Sequence, residues 1–269
     1  MNRGTYEGLR TKAKQRHLLQ KMSKGIQLQI GAWERQGIPA LVHPAPENAL
    51  RELDMMVNKL NREICVQVNG TPIGDFMQET HGLGHSVPFL CGLLPPMIDL
   101  GIEMADKETG ELRPHFFPNV AKVWKYLGLH VEDGSAPRRK KGEFSGYSSE
   151  LKSIALVYIG EPVIKAGGPY RPVYDERKAH TMERHAPMPV DGCEFCAEAG
   201  AKNKALGKKK YECADVGGTH WTKAHIHADA RRVMTKAIIA DMWAVSNGKQ
   251  PRFGHLSLES QCGAAGVAV

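Results

Sequence analysis

Apolar residues recur at helical spacing along most of this chain, and no alternating run is long enough to make a sheet. A mainly α fold is the expectation. From about Thr5 to Gln36 there is no proline, and Leu9, Leu18, Leu19, Met22, Ile26, Leu28 and Ile30 make a rough apolar stripe. Three prolines then punctuate the stretch from Gly37 to Pro46, which reads as a loop. Leu50, Leu53, Met56, Val57, Leu60 and Ile64 return to helical spacing, giving a second helix from Glu47 to about Val68. Two long helices around a short loop predict an antiparallel hairpin over residues 1–69. Such a hairpin packs within the chain or pairs with a second copy, and the spacing does not choose between them.

Asn69 to Pro72 closes that unit, and residues 70–248 are expected to form a second, helical domain. Within it a compact helical region runs from Ile73 to Leu100, followed by a polar loop from Asp106 to Pro114. A helix is expected near Asn119–Leu127, then a basic, glycine-rich stretch from Val131 to Tyr147. Further helices are expected over Ser148–Ile164 and Pro169–His185. A cysteine-bearing insertion at about 186–222 leads to a final amphipathic helix, Thr222–Ser246, and residues 249–269 read as a flexible tail.

The first candidate site is a turn. Ile73, Phe76 and Met77 give one apolar face and Val87, Leu90, Leu93 and Leu94 another, with Gly82-Leu83-Gly84 between them. This is the pattern of a helix-hairpin-helix, with Pro88 in the first turn of the second helix, where proline is tolerated. Glycine lets a backbone approach a phosphate closely, and the next helix aims its free N–H groups at that phosphate. His85 and Ser86 would add donors. The plainer alternative is an ordinary turn between two core helices.

Charge points the same way. The net charge is +7, which favours a polyanionic partner. Arg138, Arg139, Lys140 and Lys141 form one cationic run and Lys208 to Lys210 another. Most such runs are only solvated surface, but beside a phosphate-binding turn phosphate contact is the better reading. No apolar run reaches the roughly 18 residues of a membrane span, and the first twenty residues have no signal-peptide core. A cytoplasmic, nucleoid-associated protein with no membrane partner is expected.

Cys193-Glu194-Phe195-Cys196 is a C-x2-C knuckle, followed by Cys213 and His220. Three thiolates and an imidazole suit tetrahedral zinc, with His225 as the alternative fourth ligand. A closed ligand set makes the metal structural. Cys65 and Cys91 lie in apolar stretches and read as core residues.

From Thr80 to Trp243 the order of features resembles the C-terminal transposase domain of the DEDD-type insertion-sequence transposases, the serine-using, bridge-RNA-guided recombinases. The matching pieces are Thr80–Ser86, Phe117–Leu129, the basic loop, Tyr147–Leu156, Pro169–Lys178 and the helix from His225 to Trp243. The family's strand-rich ribonuclease-H-like domain has no counterpart before Asn69. Its nucleophile is a serine in a Ser-Gly pair after the Leu-Gly-Leu helix. Here Ser135 is followed by alanine, and the pair Ser145-Gly146 is displaced by the basic insertion. The resemblance implies Ser135 or Ser145 as the nucleophile of a DNA recombinase, and structured RNA as an alternative partner.

The leading expectation is a non-catalytic protein of mobile-element or phage origin that binds double-stranded DNA through the hairpin and the basic loop. A recombinase subunit using a loop serine and a structural factor that oligomerises through its N-terminal helices are the rivals. No recognition helix with obvious base-reading residues stands out, though the final helix carries Arg231, Arg232 and Lys236.

Overall fold

The computed structural model of this protein describes residues 1–37, 44–106, 109–132, 134, 136–137, 142–143, 145–185, 221 and 223–253. It is mainly helical, as the apolar spacing predicts. Its residues divide into two compact units.

The first unit comprises Met1–Glu79 and Gly84–Pro118. Helix α1 (Arg3–Arg35) is capped by Asn2, whose side chain accepts a hydrogen bond from the Thr5 N–H at 2.9 Å. It packs along α2 (Pro44–Val68), which makes the predicted hairpin. The packed face differs from the expected stripe, however. Tyr6, Leu9, Arg16 and Ser23 are buried, whereas Leu18, Met22 and Leu28 are more than half exposed. Arg16 is buried because its guanidinium is fully employed. It donates to Asn61 and to Gln20 and lies 4.0 Å above the Phe89 ring.

Helix α3 (Pro72–Glu79) follows a tight corner in which Thr71 caps the helix and bonds back to the Val68 carbonyl. A 3₁₀ helix then runs from Gly84 to Leu93 and passes into α4 (Leu94–Met97). Ten residues is long for a 3₁₀ helix, whose poorer hydrogen bonds usually limit it to a turn. Pro88 removes one donor inside it, and Pro95 and Pro96 follow immediately, so a uniform α-helix was not open to this stretch. Burial compensates: Val87, Leu90, Leu93, Leu94 and Met97 are all wholly inaccessible, packed against α1, α2 and α3. Cys91 is buried with them, and burial pushes its thiol up to about 11.

The expected polar loop ends instead in a short antiparallel hairpin, β1 (Glu103–Ala105) against β2 (Leu112–Pro114). Its Asp106 carboxylate accepts from Thr109 N–H, and Arg113 pairs with both Asp106 and Glu111. Three-residue strands are too short for alternation to announce them.

The second unit comprises Thr80–Leu83 and the described residues from Asn119 onward. It contains α5 (Val120–Tyr126), α6 (Ser149–Ser153), a π-helical segment (Ile154–Gly160), α7 (Glu161–Ala166), α8 (Arg171–Arg184) and α9 (Lys223–Ser246). Asn119 and Ser148 cap α5 and α6. Helix α9 is the centre of this unit. Ile226, Ala230, Val233, Met234, Ala237, Ile238, Ile239 and Met242 are buried against α8, the π segment and α5. Among the described residues, no helix is long and apolar enough to cross a membrane.

Candidate nucleic-acid interface

The glycine turn exists, and the structure separates the roles of its two glycines. Gly82 has φ +89°, a left-handed conformation that disfavours any side chain. A Cβ there would also lie 3.1 Å from Ala166 Cβ and 3.2 Å from Val163 Cα, so Gly82 is wedged against α7. His81 beside it donates from Nε2 to the Ala166 carbonyl at 3.0 Å. Gly82 therefore serves close packing within the second unit rather than approach to a phosphate. Leu83 is wholly buried and its N–H bonds to the Thr80 carbonyl at 3.0 Å.

Gly84 belongs to the first unit, at the start of the 3₁₀ helix. The i→i+3 ladder leaves the first N–H groups of such a helix without intrahelical partners. Among the described residues, those of Gly84 and His85 meet no carbonyl. His85 is exposed. Ser86 is fully buried, so the role of phosphate donor expected of its hydroxyl is corrected: a phosphate in solution does not reach it.

Other expected residues fall outside the described ones. These are the cations Arg138, Arg139, Lys140 and Lys141, the serine Ser135, and the zinc ligands Cys193, Cys196, Cys213 and His220. Ser145 is described. Its hydroxyl donates to the Tyr147 carbonyl at 3.1 Å, a local turn bond that brings no base to it. His225 sits in the first turn of α9, edge-on to Trp221 at 6.4 Å, and Trp221 stacks on His185 with ring centroids 4.4 Å apart. The chain thus leaves α8 and returns to α9 at one place, with the whole cysteine-bearing segment between. Among the described residues, no three His, Cys, Asp or Glu side chains are grouped to hold a metal.

The cations of the last helix have structural work. Arg232 donates to Asp229 at 2.6 Å and to the Leu129 carbonyl at 3.1 Å. Arg177 on α8 donates to the other carboxylate oxygen of Asp229 at 2.6 Å, and Thr181 does so at 3.3 Å. Arg231 pairs with Glu161, which also accepts from His227 Nε2 at 3.2 Å. Burial alone would raise the Glu161 carboxyl, but the hydrogen bonds from Arg231 and His227 outweigh it and hold the group below its ordinary value. Glu161 is therefore an acceptor for His227 Nε2–H, and the Tyr174 hydroxyl hydrogen-bonds with His227 Nδ1 at 2.8 Å. Lys236 lies 4.2 Å above the Trp124 ring, and burial together with Arg232 and Arg177 lowers its ammonium to about 8. None of the three is free to read bases.

This ion-paired seam between α7, α8 and α9 was missed from the sequence. Its signal is the pair Asp229 and Arg232, three residues apart on the same side as Ile226, Ala230 and Val233, where charge is out of place unless paired. No family model, curated protein or solved structure matches the chain.

Proposed function

We propose that this chain is a nucleic-acid-binding protein that contacts the backbone phosphates of double-stranded DNA. One contact is the start of the 3₁₀ helix at Gly84 and His85, and the other is the cationic run from Arg138 to Lys141. The observation that carries this reading is the pair of N–H groups at Gly84 and His85 that meet no carbonyl among the described residues, beside an exposed imidazole, in a chain of net charge +7. Such groups position a backbone without reading its sequence. The same reading keeps the mobile-element ancestry that the transposase resemblance implies. It also keeps a structural zinc held by Cys193, Cys196, Cys213 and His220 or His225, with structured RNA as the competing ligand in any assay.

Gly84→Glu tests it. A Cβ at Gly84 meets the Gln78 Oε1 atom at 3.3 Å, the movable end of a flexible side chain, and the Met77 carbonyl oxygen at 3.9 Å, an ordinary van der Waals contact, so the substitution should leave the fold intact. A carboxylate placed beside a phosphate costs about 1–3 kcal/mol, so duplex affinity in a gel shift should fall roughly tenfold or more. Unchanged affinity would remove the hairpin from the interface.

A second reading, self-association through the N-terminal helices, is favoured by the more than half exposed Leu18, Met22 and Leu28 on α1 and the exposed Met55, Met56 and Val66 on α2. Sedimentation of the wild type against Leu18→Gln/Met22→Gln should then show a dimer lost in the variant. A monomer at all concentrations refutes it.

A further inference from the structure

Helix α1 is where the charge of this protein is concentrated. Eight of its residues are Lys or Arg and two are Glu, a net charge of +6 against +7 for the whole chain. These cations are not scattered. Arg3, Arg10, Lys14, Lys21 and Lys24 are all exposed, and their separations of seven, four, seven and three residues keep them on one face of an α-helix. At about 1.5 Å per residue, the row from Arg3 to Lys24 extends about 31 Å.

The cations off this row are treated differently. Arg16 is turned inward onto Asn61, Gln20 and Phe89. Lys12, on the flank, pairs with Glu63 of α2 at 2.9 Å. On the row itself the sole acid is Glu7, 4.0 Å from Arg10 with both side chains about half exposed, a weak and salt-screened pair. Among the described residues, Arg3, Lys14, Lys21 and Lys24 pair with no carboxylate. Like charges spaced three and four apart disfavour a helix by about 0.2–0.5 kcal/mol per pair. The row is thus a self-repelling feature of the isolated protein, and a polyanion laid along it would relieve that repulsion.

We propose that this face of α1 docks along the sugar-phosphate backbone of a duplex nucleic acid, with Arg3, Arg10, Lys14, Lys21 and Lys24 as phosphate contacts. Its length is close to the roughly 34 Å helical turn of a duplex, so a straight row laid along one face can meet phosphates where each strand crosses that face. An anionic membrane is the competing surface: α1 also exposes Leu18, Met22 and Leu28, but Tyr6 and Leu9 are buried in the protein, so only part of its apolar surface is free to enter a bilayer. The proposal rests on the nucleic-acid reading but places the contact on a different surface from Gly84.

The test measures binding of the full chain to a duplex of about 20 base pairs between about 50 and 200 mM salt. Three proteins are compared: wild type, Lys14→Gln/Lys21→Gln/Lys24→Gln, and a control with the same charge change on α2, Arg51→Gln/Lys59→Gln/Arg62→Gln. Each lost phosphate contact flattens the slope of log K against log salt by about 0.9. The α1 variant should therefore lose close to three units of slope and at least tenfold in affinity, with a melting temperature equal to or slightly above that of the wild type, while the control keeps the wild-type slope. Equal effects in the two variants would reduce the row to net charge alone and overturn the proposal. So would phosphatidylserine vesicles that bind the wild type more tightly than the duplex and depend on the same three lysines. If Gly84→Glu loses duplex binding while the α1 variant keeps its slope, the function stands and the row does not contribute. A wild type that binds no duplex fails both.

Discussion

Asp229→Asn should lower the unfolding free energy by about 3–5 kcal/mol, the usual consequence of removing one partner from a buried ion pair. Asp229 and Arg232 are each only 9% exposed. The carboxylate accepts from Arg177 and Arg232 on opposite oxygens, both at 2.6 Å. Asparagine keeps the shape but loses the charge and turns an amide donor toward a guanidinium, leaving the buried Arg232 and the partly exposed Arg177 without their anion. Burial alone would raise the Asp229 carboxyl, and its two arginine partners overcome that and hold it below its ordinary value of 3.8. A carboxyl depressed in the folded state contributes its stability above the unfolded value, and loses it as pH falls through the folded value. Wild type should therefore weaken steeply below about pH 4, while the variant, already without the ion pair, should show a shallower acid limb. Urea unfolding at neutral and acid pH checks both statements. A neutral-pH loss below about 1 kcal/mol would mean that the seam contributes little to holding α8 on α9.

Gly74→Ala has the second largest expected effect, and its sign is the informative part. Helix propensity alone favours alanine over glycine in α3 by about 1 kcal/mol. A Cβ at Gly74, however, would fall on the Val68 carbonyl oxygen, 2.6 Å from Val68 Cγ1 and 2.8 Å from its carbonyl carbon. Backbone must move to admit it. The same Val68 carbonyl accepts from the Thr71 hydroxyl at 2.6 Å and the Thr71 N–H at 3.1 Å, and Thr71 in turn caps α3 through Gly74 N–H. One methyl group thus displaces the corner that joins α2 to α3, and a net loss of about 2–3 kcal/mol is expected. Thermal melting checks it. A melting temperature equal to or above that of the wild type would show that the corner yields easily.

The helices were legible in this sequence because apolar spacing and proline placement fix them locally: α2, α5, α8 and α9 fall close to their expected bounds. What stayed illegible depends on partners distant in the chain. The apolar stripe of α1 named Leu18, Met22 and Leu28, but the face against α2 is set by Tyr6, Leu9 and an internally bonded Arg16. Nothing local says that Asn61 and Phe89 will satisfy that arginine. The residues 84–93 carry a helical apolar pattern, yet prolines within and just after them leave a 3₁₀ helix instead. The turn at Gly82 was found for its glycines, while the reason for the first of them, contact with Val163 and Ala166, lies about eighty residues further on. That Arg231, Arg232 and Lys236 are engaged within the fold was equally illegible, because their partners Glu161, Leu129 and Trp124 are remote in sequence.

The π-helical segment Ile154–Gly160 joins α6 to α7 and ends immediately before Glu161. Its wider turn takes in one residue more than an α-helical turn does. Deleting a single residue from it would let the stretch close into ordinary α-helix with the turns on either side still in register, so Glu161 would keep facing His227 and Arg231. Inserting a further residue would instead swing Glu161 by about 100° around the axis and away from both, although every side chain in the seam remained. The linker between Ser148 and Glu161 thus tolerates the loss of one residue better than the gain of one.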